Sequence, residues 1–128
     1  MSNFNDVEQF IEKYEVPCFK KPGFLDSTTF KFRIDFLEEE LNEFKESCSQ
    51  SDLIGMSDAL IDLVYVAMGT AKMMGLPWEQ LWDEVHSCNM NKIKVTNILD
   101  SKRKSAIDVI KPEGWKSPNI KKILQGVV

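Results

Sequence analysis

The sequence predicts an all-α fold, a bundle of four helices with short connections followed by a basic, irregular C-terminal tail. Three observations predict it. Apolar residues recur at helical spacing over residues 1–92, strand-like alternation is nearly absent, and the periodic stretches are separated by proline, glycine or short polar runs. At 128 residues the chain is long enough for one domain with a real core. That domain is expected to span residues 1–128, with the core over 1–92 and the tail over 93–128.

The first helix opens at Asn5-Asp-Val-Glu8, which resembles a capping box, and carries Val7, Phe10, Ile11 and Tyr14 on one side. Pro17, Pro22 and Gly23 then hold the chain extended. Asp26 or Ser27 caps the second helix, which runs to about Ser47 with Phe30, Ile34, Leu37, Leu41 and Phe44 as its core stripe. Ser51 or Asp52 starts the third, and Gly75-Leu-Pro77 closes it and opens the fourth. The fourth helix has Trp78, Leu81, Trp82 and Val85 on one side and runs to about Lys92. Beyond it, Lys92–Lys111 forms either a hairpin or a loose segment. The proline-bracketed loop Lys111–Pro118 precedes a short helical end at Ile120–Leu124.

Charge is unevenly spread. Residues 1–91 hold 7 Lys and Arg against 17 Asp and Glu, while residues 92–128 hold 9 against 3. An acidic body with a basic tail suits a cation in the body and an anion near the tail; the plain alternative is a tail that neutralises its own body. Cys18, Cys48 and Cys88 are odd in number and lack metal-ligand spacing, so neither a disulfide framework nor a zinc site is expected, and a cytoplasmic location is. The polar N-terminus predicts no secretory signal. Asp58, Asp62 and Lys72 interrupt the third helix's apolar run, which predicts no membrane span.

The third helix is the centre of the chain. Its length and apolar content read as a buried helix, yet Asp58 and Asp62 lie four residues apart on one face, with Tyr65 and Gly69 continuing that stripe. Leu60, Leu63, Val64, Ala67 and Ala71 lie opposite. A buried carboxylate is costly unless paired, hydrogen-bonded or bound to a metal. Glu40 and Glu43 share a flank of the preceding helix. In an antiparallel hairpin these four carboxylates converge. Either they hold a hard divalent cation such as Mg2+ or Mn2+, or the glutamates are a solvated face and the aspartates a structural network.

Several chemistries are excluded. A di-iron carboxylate bundle needs two Glu-x-x-His motifs, and the chain has one histidine, His86. Ser87 and Cys88 adjoin that histidine but point elsewhere on a helix, which argues against nucleophilic catalysis. There is no glycine-rich phosphate loop. The acidic body disfavours a nucleic-acid groove. Metal-assisted chemistry on an anionic, phosphorylated substrate remains, with basic residues of the tail on the far phosphates.

Glu39-Glu40-Leu-Asn-Glu43 resembles the Glu-Glu-x-x-Glu motif of the MazG-like all-α nucleoside triphosphate pyrophosphatases, a superfamily that includes phosphoribosyl-ATP pyrophosphohydrolase and dimeric dUTPases. Asp62-Leu-Val-Tyr65 resembles part of its second motif. Residues 58–71, Glu84–Lys92 and Lys111–Ile120 look like the small single-domain branch, and the resemblance spans nearly the whole chain. It implies a four-helix MazG-like bundle that cleaves a nucleoside triphosphate between the α- and β-phosphates to monophosphate and pyrophosphate. Mg2+, with Mn2+ as substitute, is the implied cofactor, and a homodimer or homotetramer the implied assembly. Glu40, Glu43, Asp58 and Asp62 would hold the metal, and Glu39 would orient or deprotonate the attacking water. Asn89 and Lys92 would reach the nucleotide, and Lys111, Trp115 and Lys116 would close over it. The second motif begins with Glu three residues before Asp. Here position 59 is Ala and position 55 is Gly, so Asp58 takes that ligand role one residue out of register or the site has one ligand fewer. In the latter case the resemblance also allows a non-catalytic helical module that binds a nucleotide without cleaving it.

Overall fold

The computed structural model describes residues 2–126, and among them the regular structure is helical apart from one two-residue ladder. The elements are α1 (Asn3–Lys13), α2 (Ser27–Ser49), α3 (Leu53–Met73), α4 (Trp78–Asn89), β1 (Ile93–Lys94), β2 (Val109–Ile110) and α5 (Ile120–Gly126), with a 3-10 turn at Ile98–Asp100. They fall into two compact units, one running to Trp78 and the other spanning Glu79–Gly126.

The first unit contains α1, α2 and α3. The cap of α1 is Ser2, not Asn5: Ser2 accepts from the Asn5 backbone N–H and Asn5 reciprocates through its side chain. A serine directly before the helix satisfies its first orphan donors three residues earlier than the expected box. Asp26 and Asp52 cap α2 and α3 as two of the expected alternatives, accepting from Thr29 and Gly55. Between α2 and α3, Ser51 adopts φ 53° and Asp52 N–H returns to the Ser47 carbonyl. This tight reversal makes the two helices an antiparallel hairpin. Ser47 meets Gly55 at one end, and Arg33 reaches Val66 and Thr70 at the other.

The core of this unit gathers Phe4, Val7, Ile11, Met68 and Met73, with Tyr65 and Trp78 packed against it. Phe4 and Trp78 stack at 5.7 Å with their planes 4° apart. The linker after α1 is tied to the end of α3 by Phe19 N–H to the Met73 carbonyl and Gly23 N–H to that of Met74, both 3.0 Å. Gly75 sits at φ 70° beneath this crossing, where a Cβ would come 2.6 Å from the Lys21 carbonyl oxygen.

Two expected faces are rotated. Ile34 and Leu41 are exposed, and α2 presents Arg33 and Glu40 to α3 instead. α3 is not buried all round: Ala59, Val66, Met68, Gly69 and Ala71 are covered, while Leu60, Ile61 and Val64 are open, Ile61 at 68% exposure. A helix with two neighbours on one side covers only that side. Its length and mean hydropathy of 1.4 would also suffice for a membrane crossing.

In the second unit α4 ends at Asn89, short of the expected Lys92, and the segment after it adopts the hairpin alternative. Ile93 pairs with Ile110 and Lys94 with Val109, antiparallel. The enclosed loop is organised by buried Ser101, whose hydroxyl donates to Asp108 at 2.7 Å, while Arg103 pairs with the other Asp108 oxygen at 2.6 Å. These bonds hold the Asp108 carboxyl down at about 2, the Arg103 hydrogen bond contributing most. The tail is thus more ordered than its polar composition predicts, because side chains supply the hydrogen bonds that an apolar core does not.

Candidate metal centre

Glu39, Glu40 and Glu43 project from the middle of α2, and one carboxylate oxygen of each lies within 4.8 Å of the others. The spacing i, i+1, i+4 achieves this because Glu40 and Glu43 are stacked a turn apart and Glu39 leans over the same edge. Glu39 and Glu43 are exposed, whereas Glu40 is only 6% exposed. Its Oε2 is buried with no hydrogen-bond partner among the described residues. No Lys or Arg among them forms an ion pair with any of the three.

The cost of that arrangement appears as proton affinity. Burial first, then a hydrogen bond to Glu43 and repulsion from Glu43, Asp62 and Glu39, push the Glu40 carboxyl up to about 7. Asp62, half-buried on α3, is raised by burial and by the charges of Asp58 and Glu43. The hairpin therefore brings all five carboxylates of the expected site into one electrostatic neighbourhood. The glutamates form the tight group, and Asp62 stands beside it. Asp58 is exposed and acts on Asp62. Position 59, where the motif has Glu, is Ala59 at 1% exposure, packed into the helix interface. A Cβ at Gly55 would fall 2.4 Å from the Ser47 hydroxyl and 2.5 Å from the Asp52 cap.

The donor set fits a hard divalent cation. It consists of carboxylate oxygens alone, none paired with a base among the described residues, with one buried oxygen lacking a partner among them. Replacing the shared proton by a cation would satisfy that oxygen and cancel the repulsion together.

The remaining residues of the expected site lie in the second unit. Lys92 and Lys111 are brought together over the Trp115 ring, at 5.3 and 5.0 Å from its centre. The Trp115 indole N–H donates to the Cys88 carbonyl at 2.8 Å, so this ring ties its loop to the end of α4. Asn89 and Lys116 are exposed and form no part of that stack.

A residue that the sequence reading passes over stands out in the structure. Arg33 donates from Nε to Thr70 and from Nη2 to the Val66 carbonyl, both at 3.0 Å, and its guanidinium lies 5.5 Å from the Phe32 and Phe36 rings. It crosses α3 at Gly69, where a Cβ would come 2.9 Å from Nη2. The glycine at position 69, deep inside a long helix, was the available signal.

The model of one family, described as phosphoribosyl-ATP pyrophosphohydrolase, matches residues 7–89. This match takes in α1 from Val7 onward and all of α2, α3 and α4, and with them every carboxylate of the candidate centre. The chain belongs to the phosphoribosyl-ATP pyrophosphohydrolase family. That family is part of the MazG-like all-α nucleoside triphosphate pyrophosphatase superfamily, as the motifs on α2 and α3 imply. Its members are pyrophosphohydrolases, which hydrolyse phosphoric anhydride bonds of nucleotides. No curated protein matches the chain.

Proposed function

We propose that this protein is an Mg2+-dependent nucleoside triphosphate pyrophosphohydrolase that cleaves between the α- and β-phosphates, giving nucleoside monophosphate and pyrophosphate. The observation that carries the reading is Glu40, a buried carboxyl with an orphaned oxygen inside a group of carboxylates that no base among the described residues neutralises. Glu40, Glu43, Asp58 and Asp62 hold the cation, with Mn2+ as a substitute. When bound, the cation supplies Lewis acidity toward phosphate oxygens and water. Glu39, exposed at the edge of the group, orients the attacking water and accepts its proton at a carboxylate oxygen. Glu40 gives up its own proton to the medium before the site is charged, which sets the pH at which the site becomes competent. Lys92, Lys111 and Lys116 supply positive charge for phosphate oxygens, Asn89 a hydrogen bond to the nucleotide, and Trp115 an aromatic surface.

A second copy of the chain covers the open face of α3 formed by Leu53, Ile54, Leu60, Ile61 and Val64, giving a homodimer or a tetramer built from it.

The experiment is pyrophosphate release over a panel of ribo- and deoxynucleoside triphosphates with Mg2+, Mn2+ or EDTA. Release of equal amounts of monophosphate and pyrophosphate, abolished by EDTA, is expected. A folded protein that binds nucleotide yet releases no pyrophosphate with any metal would instead establish a non-catalytic binding module. The burial of Ala59 in place of a motif carboxylate favours that second reading.

A further inference from the structure

The hairpin after α4 lies wholly outside the residues that the family model matches, which end at position 89. Within the second unit it carries a cleft of about 580 Å3. Lys92 and Lys111 beside the strands, and Asp100, Lys102, Arg103 and Asp108 of the enclosed loop, line it, and β2 completes the lining. Clefts of about 300–1,000 Å3 take a whole small molecule.

Two features of this lining are unfavourable in themselves. The register that pairs Ile93 with Ile110 and Lys94 with Val109 sets Lys92 against Lys111 one residue further on. Like charges directly opposite one another across strands are destabilising. Both ammonium groups sit over the Trp115 ring, at 5.3 and 5.0 Å from its centre, and the ring is fixed by its N–H bond to the Cys88 carbonyl. The ring face attracts the two cations but brings no charge to cancel theirs. The second feature is an excess of positive charge. Arg103 and Asp108 pair at 2.6 Å, which leaves Lys92, Lys102 and Lys111 against Asp100. None of the three lysines forms an ion pair among the described residues.

The loop that carries Lys102 and Arg103 is closed on itself. The buried Ser101 hydroxyl donates to Asp108 and accepts from the Ser105 backbone N–H, and Lys104 Nζ donates back to the Leu99 carbonyl. Donors held in place by their own backbone bind a ligand at a lower entropic cost. We infer that this cleft is an anion site for a linear polyphosphate of two or more phosphoryl groups, free or carried by a nucleoside, bound by Lys92 and Lys111 of the hairpin stem and Lys102 and Arg103 of its loop. Phosphate oxygens between Lys92 and Lys111 replace the cross-strand repulsion with charge-assisted hydrogen bonds. The inference goes beyond the function proposed above, since the site adds Lys102 and Arg103 and requires neither the carboxylates nor a metal. A long nucleic acid fits less well, because the cleft is bounded and the chain as a whole carries a net charge of −4.

The test is calorimetry on the full chain in EDTA, which keeps the carboxylate centre free of metal. The probes are inorganic phosphate, pyrophosphate, tripolyphosphate, uridine triphosphate and a single-stranded DNA oligonucleotide. Pyrophosphate and tripolyphosphate are expected to bind at least about tenfold more tightly than phosphate. Lys102→Ala, on an exposed loop, is expected to weaken tripolyphosphate binding at least about fivefold. Lys111→Glu is expected to weaken it at least about tenfold while melting no lower than wild type, since an opposite-charge cross-strand pair replaces a like-charge one. A misfolded variant would melt lower. Equal affinity for tripolyphosphate and uridine triphosphate upholds the inference with the phosphate chain alone as ligand, and tighter uridine triphosphate upholds it with a nucleotide as the source. No binding of either polyphosphate, no preference over phosphate, affinity unchanged in both variants, or tighter binding of the DNA would each overturn it. Polyphosphate binding in EDTA without pyrophosphate release in Mg2+ upholds the inference while refuting the hydrolase reading. Pyrophosphate release by a chain that binds no polyphosphate in EDTA does the reverse.

Discussion

Glu40→Gln tests the centre without changing its shape. The wild-type carboxyl titrates at about 7 in the folded chain, against an ordinary 4.5. The folded state therefore keeps a proton that the unfolded chain has already released. Below the unfolded value both states are protonated and the group has no effect on stability. As pH rises from there through the folded value, holding the proton becomes unfavourable and native stability falls, the loss being complete above about 7. A shift of this size corresponds to at most roughly 3 kcal/mol at 1.36 kcal/mol per pH unit. The group opens to solvent through Glu39 and Glu43, and screening there brings the expected value down to about 1–2 kcal/mol. Glutamine keeps the volume and cannot ionise. In EDTA at about pH 8 the variant should melt roughly 3–8 °C above wild type, and the difference should vanish near pH 4. Millimolar Mg2+ should raise the wild-type melting temperature and leave the variant's nearly unchanged. Circular dichroism melts across pH measure all of this. A variant no more stable than wild type at high pH, or more stable by the same amount at every pH, would refute the account of Glu40.

Asp62→Asn and Glu43→Gln should each lower kcat/KM for pyrophosphate release by at least about a hundredfold with helicity retained, and full activity in both would remove the site assignment. Mg2+ affinity, followed by calorimetry, should weaken about tenfold per pH unit below 7, because the cation must displace the Glu40 proton; a flat profile would place the cation elsewhere. Asp52→Ala, which removes the cap of α3, should cost about 1 kcal/mol in denaturant titration. Gly75→Ala should cost about 2–3 kcal/mol, since the alanine would have to hold φ 70° against the Lys21 and Phe19 carbonyls.

The helices were legible because their punctuation is strong. Asp26, Asp52 and Gly75 mark ends that the structure keeps, and the hairpin they punctuate carries Glu39, Glu40 and Glu43 on α2 within electrostatic reach of Asp58 and Asp62 on α3. Faces were read less well. The stripe through Ile34 and Leu41 and the assumption that α3 is enclosed both treated apolarity as burial, and neither could register how few neighbours these helices have. Arg33 escaped for the opposite reason. A charged residue beside an apolar stripe looks solvated until a glycine on another helix gives it a path inward. The ordered loop of the second unit rests on Ser101, Arg103 and Asp108, whose bonds depend on backbone turns that polar composition does not encode.

Under the self-association proposed above, the open face of α3 makes the folded state of this chain depend on how much of it is present. Leu53, Leu60 and Val64 line the side of the helix away from Asp62, and Ile54 and Ile61 flank Asp58. Whatever covers the first side holds the second in place, and the stabilisation follows mass action. Dilution would then perturb the candidate metal centre, although no residue of that centre is touched. Activity measured across protein concentration would curve where the cover leaves, and the curvature would report on the apolar face through the chemistry of the carboxylates behind it.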